Sequence, residues 1–496
     1  MSAIQINLPV SKSLLNRALI AIAGQGNLKS WLENNANIVA NGCRDTQLLV
    51  NALTQENTVE SSTYYFQDAG TPCRLFTAFV AANFTSPCQI TGNESLNSRS
   101  IEPLVTALIA MGADISYSDR VGFTPISINR GITAWQDVTI SAALSSQYAS
   151  ALLLIAPLFV GIKRIIITDN THSEAYLEMT VQLLNRLGIE TSSVKEGTEL
   201  CITINGDYQS TNTPIDLDLL ESDWSSAAFF YPLLLGMSKD ATIELIGLKL
   251  SNSERNTDLV LSGLQLDGRQ GDESDGFTST QTLTISELTA YSSQGDAAED
   301  VELTKSSSIT TMGKSAQGDA AMCELGNHLG IKSIATKNGI LISRQNSHIN
   351  PTPEFLEDDE IIAHDQTLHI NVKNNPDLVP ALVVGWCIMG KSVVISGIEN
   401  LRYKECDRIA AIQENMKSLG CTLRNFGSES DDLWILNCSG RCLPAQLNVN
   451  TQSDHRIAMA FSALKPWIPT LSYTDTTCVE KSFPQFWEQL KKCTFD

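Results

Sequence analysis

Six segments of the chain share one pattern, a short polar or charged opening followed by a mostly apolar run: SKSLLNRALIAIAG from Ser11, GTPCRLFTAFVAANF from Gly70, SSQYASALLLIAPLFVG from Ser145, DWSSAAFFYPLLLG from Asp223, NPDLVPALVVGWCIMG from Asn375 and SDHRIAMAFSALKPW from Ser453. Ser, Asp, Gly and Asn satisfy the free N–H groups of a first helical turn, so each segment predicts a capped helix with no wet face, hence a buried one. A second pattern, amphipathic and ending at Gly before alternating residues, occurs in LVTALIAMGADISY, TVQLLNRLGIETSS, CELGNHLGIKSIA and IQENMKSLGCTLRN. Gly there supplies a left-handed C-terminal cap, and the alternation after it predicts a strand. Helix, strand, helix, strand thus repeats about every 60–80 residues. The distance from Asp223 to Asn375 is about twice the others. The Ser/Thr/Asp/Gly-rich stretch from about Asn252 to Ala316 accounts for it as a solvated insertion, with eleven acidic against four basic residues. The tripeptide QGD occurs three times, and only the copy at Gln317 precedes a helical pattern.

A chain of 496 residues that is 43% hydrophobic can bury more than one core, since domains run about 100–200 residues. Its formal net charge of −21 argues against nucleic acid or an anionic membrane face as partner. With no leader pattern and no membrane-length apolar run, the chain reads as soluble and cytoplasmic. Twelve Cys stand singly with no CxxC pair and six His are dispersed, so no metal site is expected.

Helix N-termini carry about half a positive charge and attract anions. Yet Lys12, Ser13 and Arg17 stand at the first opening, Arg74 at the second, Ser145, Ser146 and Gln147 at the third, and His455 and Arg456 at the sixth. Cations there oppose the dipole unless an anion joins them, which makes these residues candidate ligands of an anion. The octet LRYKECDR, at a strand-to-helix junction, reads equally well as a compensated helix start and as a site.

Together LPVSKSLLNRAL, DAGTPCRLFTA, NSRSIEPLVTALIAMGA, LSSQYASALLLIAP, HSEAYLEMTVQLL, NNPDLVPAL, NLRYKECDRI, SDHRIAMAFS and CVEKSFPQFWEQL resemble the 3-phosphoshikimate 1-carboxyvinyltransferases of the enolpyruvyl transferase family, in family order. The resemblance implies an α/β fold, a two-domain inside-out α/β barrel of six βαβαββ units with buried parallel helices. One domain would comprise 1–10 with 222–496, including the insertion at about 252–316, and the other 11–221, with the active site in the cleft between them. It implies transfer of the enolpyruvyl group of phosphoenolpyruvate to the 5-hydroxyl of shikimate 3-phosphate, in chorismate and aromatic amino acid biosynthesis. No metal or other cofactor would be needed, no nucleic acid or membrane partner is implied, and the chain would act as a monomer.

By the same resemblance Lys12, Ser13, Arg17, Ser145, Ser146, Ser173, Tyr176, Asp377, Asn400 and Lys404 match positions that hold shikimate 3-phosphate. Lys12, Gly70, Arg99, Gln147, Arg408, Arg456 and Lys481 match those that hold phosphoenolpyruvate. Asp377 resembles the proton acceptor and Glu405 the carboxylate that exchanges the methylene proton, with Lys12 and His455 assisting through charge and hydrogen bonding; Asp407 reads as structural. Three residues depart from the usual pattern. Val10 replaces a small residue, Glu174 a basic one and Asp68 an Asn, and Asp68 would weaken an anion site unless Arg74 or Arg99 neutralised it. Two alternatives stay open. One is a UDP-N-acetylglucosamine 1-carboxyvinyltransferase, which usually employs a loop Cys, although none lies between Cys88 and Cys201. The other is a non-catalytic anion-binding relative.

Overall fold

The computed structural model describes residues 3–55, 62–169, 174–209, 220–250, 315–345, 367–426 and 432–493. The chain separates into two compact units, 1–251 with 314–496, and 252–313, of which the second lies outside the described residues. The fold is mixed α/β. Four sheets share one strand order, in which the first two strands run parallel and the fourth pairs antiparallel between the second and third. They are Ile4–Asn7, Thr242–Ile246, Gly339–Arg344 and Ile331–Ala335; Ser62–Tyr65, Cys88–Thr91, Ile126–Arg130 and Asp114–Tyr117; Val138–Ser141, Ile162–Thr168, Glu199–Asn205 and Glu190–Glu196; and Leu368–Asn371, Val393–Ser396, Leu433–Asn437 and Thr422–Asn425. A fifth sheet pairs Gln446–Val449 with Thr470–Tyr473 in parallel.

All six apolar segments are helical. Four of the five parallel strand pairs are bridged by one of them, as Gln147–Ile155 bridges Val138–Ser141 and Ile162–Thr168, whereas Ile4–Asn7 and Thr242–Ile246 are separated by four. In that helix every residue from Tyr148 to Ile155 is buried, as an apolar run without a polar face requires. The four amphipathic segments also end as read, with positive φ at Gly112, Gly188, Gly330 and Gly420 before the strands that follow.

Two units depart from the repeat, the fifth sheet stopping at its parallel strand pair and another unit having no sheet among the described residues. After the Lys12–Gly24 helix the described residues form helices Leu28–Asn34, Ala36–Ala40 and Arg44–Thr54 and no strand. Leu28, Trp31 and Leu32 explain the first of these, because a three-to-four spacing places them on one helical face, packed against the core. Among the described residues, six buried helices therefore accompany five sheets.

Two large apolar cores form. One joins Ile6 to residues from Trp224 to Cys493, and the other runs from Leu15 to Tyr208. The chain passes between them twice, side by side: Val10 bridges to Ser222, Ser11 N donates to Glu221 O at 2.9 Å and Asp223 N to Pro9 O at 2.9 Å. The acidic stretch ends earlier than the sequence suggests. Ser315 N donates to Leu250 O at 2.7 Å, and Ser315 Oγ and Ala316 N donate to Glu221 Oε1 at 2.7 and 3.1 Å, so both residues belong to the fold.

Candidate active site

The polar helix openings converge. Lys12, Ser13 and Arg17 come from the first helix, Gly70 from the start of Gly70–Ala82, and Ser145, Ser146 and Gln147 from the start of Gln147–Ile155. Asp377 lies in the turn Pro376–Leu378, Asn400, Lys404 and Glu405 in the octet's loop, and Arg408 and Arg456 at two further helix starts. With Arg99, Tyr176 and Lys481 they line one cavity. Two of the expected residues do not appear there: Ser173 lies outside the described residues, and His455 is buried without lining the cavity. Arg74, a candidate from its helix opening, lines it as well, and Asp45, Thr71 and Tyr403 line it in addition.

The two sides of the cavity differ in how their cations are paired. Arg408, 1% exposed, meets three carboxylates: Nε to Asp454 at 2.8 Å, Nη1 to Asp377 at 2.9 Å and Nη2 to Glu405 at 2.6 Å. Asp377 also pairs with Arg456 at 3.1 Å and Lys404 at 3.5 Å, and accepts from Tyr176 Oη at 3.2 Å. Arg17, equally buried, has only neutral partners among the described residues. It donates to Thr180 Oγ1 at 2.8 Å, Ser13 O at 2.9 Å and Ser150 Oγ at 3.0 Å, and burial lowers its guanidinium to about 10. Arg74 donates to Gln147 Oε1 at 2.7 Å and Ser100 O at 3.2 Å, and Arg99 to the backbone oxygens of Ser95 and Asp68. A buried guanidinium with no carboxylate partner is costly alone and is relieved by an anion.

The same charges tune the carboxylates. Burial would raise Asp377, but Arg456, Lys404 and Arg408 outweigh it and hold the group far below its ordinary value. Burial likewise opposes, and Arg408 and Lys481 overcome, in holding Glu405 well below the usual range. Both are ionised. His455 is pushed well below its usual value, chiefly by burial, so it stands neutral. The Lys12 ammonium pairs with Asp45 at 3.2 Å, and His455 Nδ1 is buried with no hydrogen-bond partner among the described residues.

One further reading changes, that of Asp68. Asp68 is neutralised by Arg44 at 2.7 Å and Lys481 at 2.8 Å, not by Arg74 or Arg99. Glu174 pairs with Lys195 at 3.4 Å outside the cavity. At Gly70 a Cβ would stand 2.9 Å from Arg74 Nη1 and 3.1 Å from Arg99 Nη1, so its absence makes room for two guanidinium groups. Asp407 is a cap as read, its Oδ1 accepting from Ala410 N at 3.0 Å and its Oδ2 meeting Arg402 at 3.1 Å. The dispersed thiols concealed one cluster outside the cavity: the sulfurs of Cys387, Cys421 and Cys438 lie buried within 4.8 Å of one another.

One cavity thus gathers guanidinium groups that have no carboxylate partner among the described residues beside carboxylates that are ion-paired, an arrangement that suits anionic ligands. Residues 39–274 and 314–490 match the family described as EPSP synthase (3-phosphoshikimate 1-carboxyvinyltransferase), and the chain belongs to that family. It is 28% identical over 495 residues to a 3-phosphoshikimate 1-carboxyvinyltransferase of Bacteroides fragilis, covering 99% of this chain and 95% of that one. A chloroplastic enzyme of the same name from Arabidopsis thaliana is 25% identical, covering 99% and 82%. The fold is similar to that of an EPSP synthase from Acinetobacter baumannii, with a TM-score of 0.58, 18% identity and 99% and 96% coverage. It is also similar to the enolpyruvyl transferase NikO from Streptomyces tendae, with a TM-score of 0.52, 11% identity and 99% and 95% coverage. No helix among the described residues is long and apolar enough to cross a membrane.

Proposed function

We propose that this cavity is where the chain carries out its family's reaction. The chain transfers the enolpyruvyl group of phosphoenolpyruvate to the 5-hydroxyl of shikimate 3-phosphate and releases phosphate. The observation that supports the site assignment most is that Arg17, Arg74 and Arg99 have no carboxylate partners among the described residues, in the same cavity where Asp377 and Glu405 are ionised.

In this reading Lys12, Ser13, Arg17, Ser145, Ser146, Ser173, Tyr176, Asn400 and Lys404 hold shikimate 3-phosphate. Gly70, Arg99, Gln147, Arg408, Arg456 and Lys481 hold phosphoenolpyruvate, with Lys12 between the two. Asp377, ionised, accepts the 5-hydroxyl proton as that oxygen attacks C2 of phosphoenolpyruvate, and Glu405 delivers a proton to the methylene carbon. The tetrahedral ketal phosphate then returns a methyl proton to Glu405 as the C2–O bond to phosphate breaks, and the proton held by Asp377 passes to the leaving phosphate, which restores both carboxyls. Glu405 must be protonated for the first step. An anion drawn to Arg408 and Lys481 competes with it for their charge and raises its proton affinity.

The inside-out barrel follows from the same reading, with halves 1–10 plus 222–496 and 11–221 that correspond to the two apolar cores, and one of the six units keeping its helices without a sheet. The chain would act in the cytoplasm as a monomer. A coupled phosphate-release assay tests the assignment: release with phosphoenolpyruvate and shikimate 3-phosphate is expected, and release only with UDP-N-acetylglucosamine as acceptor would sink it.

A further inference from the structure

The third QGD tripeptide plays no part in the mechanism above, yet the fold places it against the site. Gly318 sits where a Cβ would meet Ala175 Cβ at 2.4 Å and Asn375 Nδ2 at 3.3 Å, so the backbone fits between the helix that carries Tyr176 and the turn that carries Asp377. Gln317 fixes this approach from the other side, accepting from Trp224 N at 3.1 Å and donating to Ser222 O at 2.7 Å. Asp319, 5% exposed, is thereby buried behind the cavity wall.

Its carboxylate accepts from Ser225 Oγ, and the same hydroxyl oxygen accepts from Arg456 Nη2 at 3.3 Å. Arg456 Nη2 in turn donates to Asp377 Oδ2 at 3.1 Å, and Nη1 to Asp377 O at 3.3 Å. Four polar groups thus run in a line from a buried carboxylate to the proton acceptor. The charged and titratable groups facing Asp319 are Asp223 at the cap of the Trp224–Ala227 helix, Asp377, Tyr176 and Arg456.

We propose that Asp319 is a positioning residue for the enolpyruvyl transfer: through Ser225 it fixes Arg456 on Asp377, and it takes up a proton when the anionic substrates enter. The inference rests on the site assignment above. Asp319 and Asp377 are tuned in opposite directions. Burial and the charge of Asp377 raise Asp319 to about 6 against the opposing pull of Arg456 and Ser225, whereas cations keep Asp377 ionised. Divergent tuning of neighbouring carboxylates separates a group that stays charged from one that exchanges protons near neutrality. Phosphate and carboxylate groups arriving beside Arg456 draw on its charge and add their own, so the proton affinity of Asp319 rises further and binding is linked to proton uptake.

The test is calorimetric titration of shikimate 3-phosphate, then phosphoenolpyruvate, into the full chain at pH 7 in two buffers of unlike ionisation enthalpy. Asp319→Asn is expected to bind with a loss of about half a proton of uptake relative to the unaltered protein, and to flatten the pH dependence of affinity between about pH 6 and 8. Proton release or uptake by the substrates' own phosphates and by Glu405 or His455 is common to both proteins and cancels in the difference. Ser225→Ala keeps the carboxylate but removes the hydroxyl donation that favours its charged form, so the pH-dependent limb should move to higher pH. Equal proton counts for Asp319→Asn and the unaltered protein overturn the inference. If Asp319→Asn does not fold, an unmoved limb in Ser225→Ala overturns it instead. An unaltered protein that binds neither substrate overturns the site assignment, a failure distinct from either of these.

Discussion

Lys481 Nζ lies 2.8 Å from both the backbone oxygen and Oδ2 of Asp68, joining positions 413 residues apart. The same carboxylate meets Arg44, so one acidic residue at the edge of the anion site is held by a cation from each side. Removing Arg44 leaves Asp68 to Lys481 alone, which then has less charge to offer a substrate. Arg44→Ala should raise the KM for phosphoenolpyruvate by about 3–10-fold, and Asp68→Asn added to it should recover most of the loss. Steady-state kinetics on the two single variants and the double variant checks this, because residues in one ion-pair network are coupled by about 0.5–3 kcal/mol. Additive effects would remove the pair from the site's electrostatics.

Asp377→Asn and Glu405→Gln should each lower turnover by about 10²-fold or more while substrate affinity stays within a few-fold, as loss of positioned acid–base groups does. Phosphate release under saturating substrates reads the first quantity and equilibrium titration the second. Unchanged turnover in either variant takes that residue out of its proton-transfer role.

Asp377 in the folded protein holds its proton less tightly than in the unfolded chain, so its stabilising contribution is present above about pH 4 and is lost as pH falls below that. At pH 7 Asp377→Asn should destabilise by on the order of 2–3 kcal/mol, below the cost of a fully stranded buried charge because Arg408 keeps Glu405 and Asp454. The difference in Tm from the unaltered protein should shrink as pH is lowered through 4. Asp319 has the opposite sign. Raised to about 6, it burdens the fold above that pH and is relieved below it, so Asp319→Asn should gain more Tm at pH 8 than at pH 5.

The hydrogen bond from Ser315 N to Leu250 O sets the two residues that flank 251–314 side by side. Replacing 254–312 with a short Gly/Ser bridge should therefore leave Tm within about 4 °C and phosphate release within about twofold, since the closure cost of a segment between adjacent ends depends only logarithmically on its length. Ser315 and Ala316 must be retained, as they hold Glu221. A folded deletion variant without activity would assign the acidic stretch to the site.

Much of this site is written locally. A polar opening before an apolar run marks Arg17 and Arg456 as cations placed against a helix dipole, and the structure brings both to one cavity. The octet shows how far local pattern reaches. Asp407 caps its helix as any helix start would, whereas Arg408 meets Asp377 and Asp454, 31 and 46 residues away. Such partners have no local trace, so only the resemblance distinguished Glu405 from a compensating charge. Asp45, Arg44 with Asp68, and the thiols of Cys387, Cys421 and Cys438 were hidden for the same reason. The helices after Gly24 were legible in the spacing of Leu28, Trp31 and Leu32, but the repeat suggested strands instead.

The unequal pairing of the cavity's two sides reaches beyond catalysis to how the protein should be handled. Arg17, Arg74 and Arg99, without carboxylate partners among the described residues, offer their charge to any small multivalent oxyanion, while Arg408 is already matched. Sulfate, citrate and inorganic phosphate in a storage buffer would act as competitive occupants as well as background salt, whereas chloride would only screen. The phosphate released at each turnover belongs to the same group, so its accumulation should slow the enzyme from within the cavity.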